Sequence, residues 1–184
     1  MMNREDQIMQ QKNVKVIRGL YVGRFQPYHL GHQEVIKKIS KEVDEIIIVI
    51  GSAEESHTIK DPFTAGERVV MICNSLGDLR GKCYVIPLRN INRFAVWGAH
   101  LLSMVPKFDI VYSNNHLVTQ LFEESGFEVR KSPMFDRTVM SGTRIRQMMK
   151  SVENWSHLVP REVLLEIEKV RGVERLKKIM ENDI

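Results

Sequence analysis

The chain has 184 residues, of which 43% are hydrophobic and 27% are charged, a balance typical of a soluble globular protein with one core. The net charge of +4 and the pI near 9.1 suit anionic ligands. The basic residues are too few and too scattered to indicate a nucleic-acid surface, so we expect no nucleic-acid partner.

Neither the N-terminal segment nor the cysteines indicate export or membrane insertion. The first residues lack an apolar signal core, and the longest apolar run, residues 46–50, is far too short to cross a membrane. Cys73 and Cys83 have neither CxxC nor zinc spacing, which favours two small buried hydrophobes. We expect a cytoplasmic protein that does not associate with a membrane.

Short apolar runs alternate with helix-like segments along the chain, a pattern typical of a parallel α/β sheet. Strands are predicted over residues 19–22, 45–50, 83–86, 108–112 and 127–130. The second has successive β-branched residues that suit a strand buried on both faces. We therefore predict a doubly wound, Rossmann-like α/β fold with a parallel sheet of about five strands and helices on both faces.

Helices are predicted between these strands and after the last one. They cover residues 30–41, 64–72, 96–104, 117–124, 141–150, 161–169 and 174–184. Thr64 and Glu67 have the spacing of a capping box, Gly126 ends a helix, and Ser141 can cap another. Glu67 and Arg68 are interpreted as structural, with Arg68 in a local pair.

The segment between the first strand and the first helix contains the candidate chemistry. The unpaired amides and positive dipole end of the helix form an anion site, and Gly31 leaves the backbone approachable. His29 and His32 are three residues apart, so that both rings can face one ligand. Imidazolium or neutral imidazole N–H groups can stabilise a transferring phosphoryl group, and Arg24 adds donors for phosphate oxygens.

Other interpretations of this segment are weaker. Two histidines three residues apart, with no acidic cluster nearby, are too few ligands for a metal site. We therefore expect no protein-bound metal. The turn lacks the Gly-Lys-Ser/Thr ending of a Walker A loop, and it does not match GxGxxG.

Two motifs in this chain resemble those of the nucleotidylyltransferase superfamily. His29-Leu30-Gly31-His32 is similar to the (H/T)xGH signature, and residues 140–146 are similar to ISxTxxR, with Met140 in place of isoleucine. Longer matches over residues 23–32, 50–53, 62–68, 96–97 and 108–115 resemble the archaeal type of nicotinamide-nucleotide adenylyltransferase. The resemblance extends from about residue 18 to about residue 171. It implies a tail (residues 1–17), a nucleotidyltransferase domain (18–171) and a C-terminal helical extension (172–184).

The resemblance implies that the 5′-phosphate of nicotinamide mononucleotide (NMN) attacks the α-phosphorus of ATP, giving NAD and pyrophosphate without a protein nucleophile. Positioning and charge stabilisation then supply the catalysis. The catalytic residues implied are His29, His32, Arg24 and Arg146, and the ATP-binding residues implied are Gly23, Phe25, Gly31, Ser141 and Thr143. Mg²⁺ would accompany ATP, held mainly by phosphates and water.

On the acceptor side, the resemblance implies that Trp97 stacks on the nicotinamide ring, against the alternative of a core tryptophan. Asn90 occupies a position where close relatives are expected to have aspartate, and its amide can still bind ribose or carboxamide. Asn114 is a further candidate for contact with NMN or NAD.

Two other functions remain possible at this stage. One is another adenylyl- or cytidylyltransferase of the superfamily, acting on pantetheine phosphate or flavin mononucleotide, and the other is a module that senses NAD without catalysis. The resemblance also implies a homo-oligomer, a hexamer in the archaeal family.

Overall fold

The computed structural model describes residues 15–132, 140–151 and 153–182. Parallel strands form one five-stranded sheet. In chain order they are β1 (Arg18–Gly23), β2 (Glu45–Ile50), β3 (Cys83–Pro87), β4 (Ile110–Tyr112) and β5 (Glu128–Arg130). Their order across the sheet is β3-β2-β1-β4-β5. The predicted doubly wound α/β fold is therefore confirmed.

Helices connect the strands and continue after the last one. They are α1 (Leu30–Ile39), α2 (Ala65–Ser75), α3 (Phe94–Met104), α4 (His116–Glu124), α5 (Gly142–Ser151), α6 (Arg161–Lys169) and α7 (Gly172–Asn182). Short 3₁₀ helices at Gly77–Lys82 and Ser156–Leu158 were not predicted. The capping box is confirmed, because Thr64 Oγ1 accepts from the Glu67 amide and the Glu67 carboxylate accepts from the Thr64 amide.

The strand β2 shows why a run of β-branched residues predicts a central strand. Ile46, Ile48 and Ile50 pack into the core on one face of the sheet, while Ile47 and Val49 pack into the core on the other. All are at most 1% exposed. Burial of each such side chain contributes about 2 kcal/mol.

The fourth and fifth strands begin later than predicted. Phe108 and Phe127 precede them and lie with ring centroids 4.9 Å apart, and Phe122 of α4 packs against both. These aromatic residues are part of the core rather than of the strand ladder. An apolar run alone does not distinguish the two roles.

The C-terminal helix α7 packs on the same core as the rest of the chain. Leu176 is fully buried, and the Arg175 guanidinium binds both carboxylate oxygens of Glu67 on α2 at 2.7 Å. Most of the predicted N-terminal tail lies outside the described residues. Of its last residues, Lys15 pairs with Asp109 and the Ile17 amide donates to Asp44. Within the described part of the chain, every helix is too short or too polar to cross a bilayer.

Candidate active site

The order of the strands determines where a ligand can bind. The chain leaves β1 toward β2 on one side and later returns to β4 on the other, so a crevice opens at the carboxyl ends of β1 and β4. A cavity of about 340 Å³, which we call the main cavity, lies at this place. It is lined by Tyr21, Val22, Gly23, His29, Gly31, His32, Val35, Ser113, Asn114, Asn115, Ser132, Met140, Ser141 and Gly142.

Buried hydrogen bonds and aromatic packing fix the turn between β1 and α1. The Gln26 side chain, 3% exposed, donates to the Phe63 carbonyl at 2.8 Å and accepts from the Phe63 amide at 3.0 Å. Phe25 has a φ of +52°, which a non-glycine residue rarely adopts. Its side chain is 1% exposed and packs edge-on against His32. Phe25, predicted to bind ATP, therefore does not present its side chain to the main cavity, and only its backbone is left for such a contact.

The two histidines of the first motif line the main cavity together. Their rings stack with centroids 3.6 Å apart, and Nδ1 of His32 accepts from the backbone N–H of His29 at 3.3 Å. The ring proton of neutral His32 is therefore on Nε2. Burial lowers the pKa of His29 to about 4, and burial together with His29 lowers the pKa of His32 well below its usual value. Both rings are therefore neutral at pH 7 in the substrate-free protein, which is one of the two protonation states that the sequence left open.

The second motif begins the helix α5 at the rim of the same cavity. Ser141 Oγ accepts from the Arg144 amide at 3.3 Å, as expected for the residue that caps this helix. Arg146, 8% exposed, donates to the Gln26 carbonyl at 2.7 Å and to Thr143 Oγ1 at 3.4 Å. Burial lowers the pKa of Arg146, but a guanidinium remains charged in proteins. The second motif is thus bonded to the turn that leads into the first motif, although 120 positions separate Gln26 and Arg146.

Gly142 lies against the turn that leads into the first motif. A Cβ at this position would lie 2.9 Å from the Gln26 carbonyl oxygen and 3.2 Å from the nearer terminal nitrogen of Arg146. A larger side chain would therefore push the second motif away from the first. The glycine in the Ser-Gly-Thr sequence is explained by this contact.

Arg24 and Asp61 form a charged pair beside the cavity. Arg24 is half-exposed, and its guanidinium lies 3.5 Å from the carboxylate of Asp61, which is 7% exposed. The charges of Arg24 and Asp61 also act on Arg146, Arg24 lowering its pKa and Asp61 raising it. The two arginine charges outweigh the single Asp61 charge, which gives this side of the crevice a net positive charge suited to an anion.

A second cavity of about 160 Å³ lies at the carboxyl end of β2. It is lined by Gly51, Ser52, Leu88, Asn90, Phe94, Trp97, Asn115, Leu117, Val118 and Leu121. Trp97 is half-buried and meets Phe122 edge to face, with ring centroids 6.0 Å apart. Trp97 therefore packs against the core and borders a cavity at the same time. Asn115 lines both cavities and so joins them.

The asparagines predicted to contact the acceptor take different places. Asn90 lines the second cavity. Its side-chain oxygen accepts from the Asn92 backbone N–H, and its backbone N–H donates to the Glu54 carboxylate. Asn114 borders the main cavity and donates to the Ser132 carbonyl at 2.7 Å.

The structure brings most of the predicted site residues together at one crevice. Gly23, Gly31, His29, His32, Asn114 and Ser141 line the main cavity, while Asn90 and Trp97 line the second. Arg24 and Arg146 stand beside the main cavity, and Thr143 is exposed and bonded to Arg146.

Several residues that shape the site were not found from the sequence. Gln26 lies in the turn before the first motif, but its bonds to Phe63 depend on a loop 37 positions away. Asp61 gave only the weak signal of an acidic residue before a Pro-Phe pair. Arg68 was expected to pair locally, and its Nε does donate to the Thr64 carbonyl, but its other bonds reach loops far away in the chain, while Glu67 pairs with Arg175. All of these Arg68 bonds are to backbone carbonyls.

Comparison with known proteins places this geometry in a family. Residues 20–148 match the model of the cytidylyltransferase-like family. Proteins named nicotinamide-nucleotide adenylyltransferase are similar over most of their length. The one from Haloarcula marismortui is 52% identical, covering 91% of this chain and 89% of that protein. The one from Methanothrix thermoacetophila is 55% identical, covering 90% and 98%.

A solved structure supports the fold. The bifunctional NMN adenylyltransferase/ADP ribose pyrophosphatase from Francisella tularensis, complexed with AMP and Mn ion, superposes with a TM-score of 0.74 at 21% identity. The match covers 91% of this chain and 53% of that one, so this chain spans about half the length of the bifunctional protein. From these similarities over most of its length, the chain belongs to the cytidylyltransferase-like family and, within it, to the nicotinamide-nucleotide adenylyltransferases.

Proposed function

We propose that this enzyme transfers the adenylyl group of ATP to nicotinamide mononucleotide, giving NAD and pyrophosphate. The observation that carries the proposal is the 2.7 Å bond from Arg146 of the second motif to the Gln26 carbonyl, in the turn that leads into the first motif. Residues at the start of α1 and at the start of α5 both line the main cavity. This arrangement is a clamp for a polyphosphate.

The reaction requires no nucleophile from the protein. An oxygen of the acceptor 5′-phosphate attacks the α-phosphorus, a new P–O bond forms, and the bond to the bridging oxygen breaks, so that pyrophosphate leaves with the electron pair. Negative charge accumulates on the α-phosphoryl oxygens and on the leaving pyrophosphate. Nε2–H of His32, Arg24 and Arg146 are donors at the place where this charge develops.

The neutral state of the histidines suits this role. A neutral ring donates one hydrogen bond without the desolvation cost of a buried cation. The anionic substrate then strengthens these bonds, because the surrounding protein excludes water and lowers the local dielectric. We propose that Gly23, Gly31 and Ser141 shape the ATP side of the crevice. Thr143 contributes by accepting a hydrogen bond from Arg146.

On the acceptor side, we propose that the nicotinamide ring stacks on the open face of Trp97 in the second cavity. Phe122 fixes the indole by an edge-to-face contact, so the ring is preorganised and little entropy is lost on binding. Asn90 supplies an amide for the ribose or the carboxamide. Asn114, at the border of the main cavity, faces the nucleotide from β4.

Magnesium is proposed to enter with ATP. Within residues 15–132, 140–151 and 153–182 there is no group of three or more His, Cys, Asp or Glu side chains arranged to hold a metal ion. A Mg²⁺ ion bound through triphosphate oxygens and water needs no such group, and it would neutralise charge on the leaving pyrophosphate.

An assay with several acceptors tests the proposal. Purified protein is incubated with ATP, Mg²⁺ and one of nicotinamide mononucleotide, phosphopantetheine or flavin mononucleotide, and the dinucleotide and pyrophosphate are measured. We expect NAD and pyrophosphate in equal amounts from nicotinamide mononucleotide. Turnover with another acceptor but not with this one would overturn the acceptor assignment, and NAD binding without turnover would indicate a sensor.

The assembly and the location are also proposed. Phe94, Leu102 and Met104 of α3 are exposed apolar side chains, 57%, 41% and 53% accessible, which is consistent with a homo-oligomer such as a hexamer. Light scattering on the purified chain measures the mass directly, and a monomer at micromolar concentration would contradict it. We propose a cytoplasmic location because ATP is a substrate.

A further inference from the structure

Arg68 is the largest fully buried side chain in the described part of the chain, with 0% exposure. It lies in the first turns of α2, behind the crevice rather than in it. Neither cavity is lined by it. A buried guanidinium with no role would be costly, because a charge taken from water must be compensated by hydrogen bonds or an ion pair.

The compensation comes from the backbone. The guanidinium donates to the carbonyl of Arg24 at 3.0 Å and to the carbonyls of Gly51 and Ser52 at 3.1 Å each. It also reaches the carbonyls of Ala53 at 3.5 Å and Glu55 at 3.3 Å. Its Nε donates to the carbonyl of Thr64, the residue that caps its own helix. The planar fork of an arginine offers five donors in fixed directions, whereas lysine has three on a flexible stem.

These carbonyls belong to the two loops that form the site. Arg24 is in the loop after β1, on the side of the main cavity. Residues 51–55 follow β2, and Gly51 and Ser52 line the second cavity beside Trp97. In the same loop, the Glu54 carboxylate accepts from the Asn90 amide. One side chain therefore bonds to both loops at once.

We propose that Arg68 is a positioning residue that fixes the acceptor-side loop, residues 51–55, against the loop that carries Arg24. This inference rests on the proposed function, in which the two loops hold the two substrates. The distance from the acceptor phosphate to the α-phosphorus depends on how these loops are held, and a misplacement of about 1 Å costs about a hundredfold in rate. Arg68 sets this distance without touching either substrate.

The test compares two conservative variants of two well-bonded arginines. Arg68→Lys keeps the positive charge but loses the fork to the loops. Arg175→Lys is the matched control, because Arg175 binds Glu67 and the Pro62 and Val170 carbonyls and makes no bond to residues 51–55. Both variants are expected to unfold at lower temperature than the wild type, so stability alone does not distinguish them.

The kinetic readout does distinguish them. At a temperature where both variants are fully folded by circular dichroism, we expect Arg68→Lys to raise the KM for the acceptor about tenfold and to lower kcat about tenfold. The KM for ATP should change less than about twofold, since the ATP side is also fixed by Gln26 and Arg146. Arg175→Lys should leave all three constants near the wild-type values. Equal kinetic changes in both variants, or none in Arg68→Lys, would overturn the proposal.

Hydrogen–deuterium exchange gives a readout that needs no turnover. In the wild type, the amides of Ala53 and Glu55 donate to Leu88 and Ser52, and we expect them to be protected to a degree similar to α2. In Arg68→Lys they should exchange at least tenfold faster, and in Arg175→Lys they should not. Rapid exchange of these amides in the wild type would overturn the proposal even if the lysine variant did not fold. If the wild type made no NAD, the exchange result would still test the link between the loops.

Discussion

The two sides of the crevice are built in different ways. On the main-cavity side, donors come from two motifs far apart in the chain, and buried groups bond them together, as Arg146 is bonded to the Gln26 carbonyl. On the second-cavity side, the lining is largely apolar, and Trp97 and Phe94 are half-buried or exposed. The first arrangement leaves little freedom to the groups that we propose to meet the reacting phosphates. The second has fewer fixed donors, which suits the proposed binding of a flat ring.

This contrast has a consequence for mutation. A change on the main-cavity side should affect the chemical step, because the donors there are proposed to act on charge that develops in the transition state. A change on the second-cavity side should affect mainly acceptor binding. The two sides are therefore distinguished by whether kcat or KM responds.

The largest effect is expected for His32→Ala. Removing the Nε2–H donor should lower kcat by about a hundredfold or more, or about 3 kcal/mol of transition-state stabilisation. The KM for the acceptor should change little. His157→Ala, at an exposed histidine in the second 3₁₀ helix, is the control and should behave like the wild type. Steady-state kinetics with both substrates measure this, and normal turnover of His32→Ala would exclude it from the chemical step.

Next comes the pH dependence of stability. The folded pKa of His29 is about 4 against 6.5 in the unfolded chain, so the unfolded state binds the proton more tightly. The stabilisation is therefore complete above pH 6.5 and is lost as the pH falls toward 4. The loss should be about 3 kcal/mol for this one group, and His32 shifts in the same direction.

Urea unfolding of the substrate-free protein between pH 7 and pH 4 measures this slope. His29→Gln should be less stable at pH 7 but should show a shallower slope than the wild type, since glutamine does not titrate. Parallel slopes in the two proteins would mean that His29 is not the source. The acidic residues contribute equally to both curves and cancel in the comparison.

A smaller effect is expected for Gly142→Ala. The added Cβ would displace either the Gln26 carbonyl or the Arg146 guanidinium, which breaks the bond between the two motifs. We expect kcat/KM for ATP to fall about thirtyfold, or about 2 kcal/mol. Gly66→Ala is the matched control: it lies in α2 with no atom within 4 Å of the added Cβ, and it should be neutral or slightly stabilising. Equal kinetics in the two variants would show that the close approach is not needed.

The smallest effect is expected on the acceptor side. Trp97→Ala should raise the KM for the acceptor about tenfold and leave the KM for ATP nearly unchanged, about 1.4 kcal/mol of stacking lost. In a Trp155→Phe background Trp97 is the only tryptophan, and its fluorescence should change when the acceptor binds. An increase in the KM for ATP of the same size would remove the distinction between the two sides.

The fold and the local structure of the two motifs were largely predictable. The order of apolar runs, the capping box at Thr64 and Glu67, and the helix start after Ser141 all depend on neighbours in the chain. Local sequence encodes such features, because periodicity, caps and turns involve residues a few positions apart. The short 3₁₀ helices were not predicted, and neither were the late starts of β4 and β5, where Phe108 and Phe127 pack against each other in the core.

The sequence by itself determined that this chain is a parallel α/β protein, and it predicted an anion site after the first strand formed by His29, His32 and Arg24. Only the tertiary structure decided that the histidines are neutral, because their pKa values depend on burial by residues from other elements. Only the structure decided that Gly142 must be small and that Arg68 bonds to two loops. Each of these depends on atoms that are far apart in the chain and meet when the sheet forms, and a single sequence does not encode such distances in its local pattern.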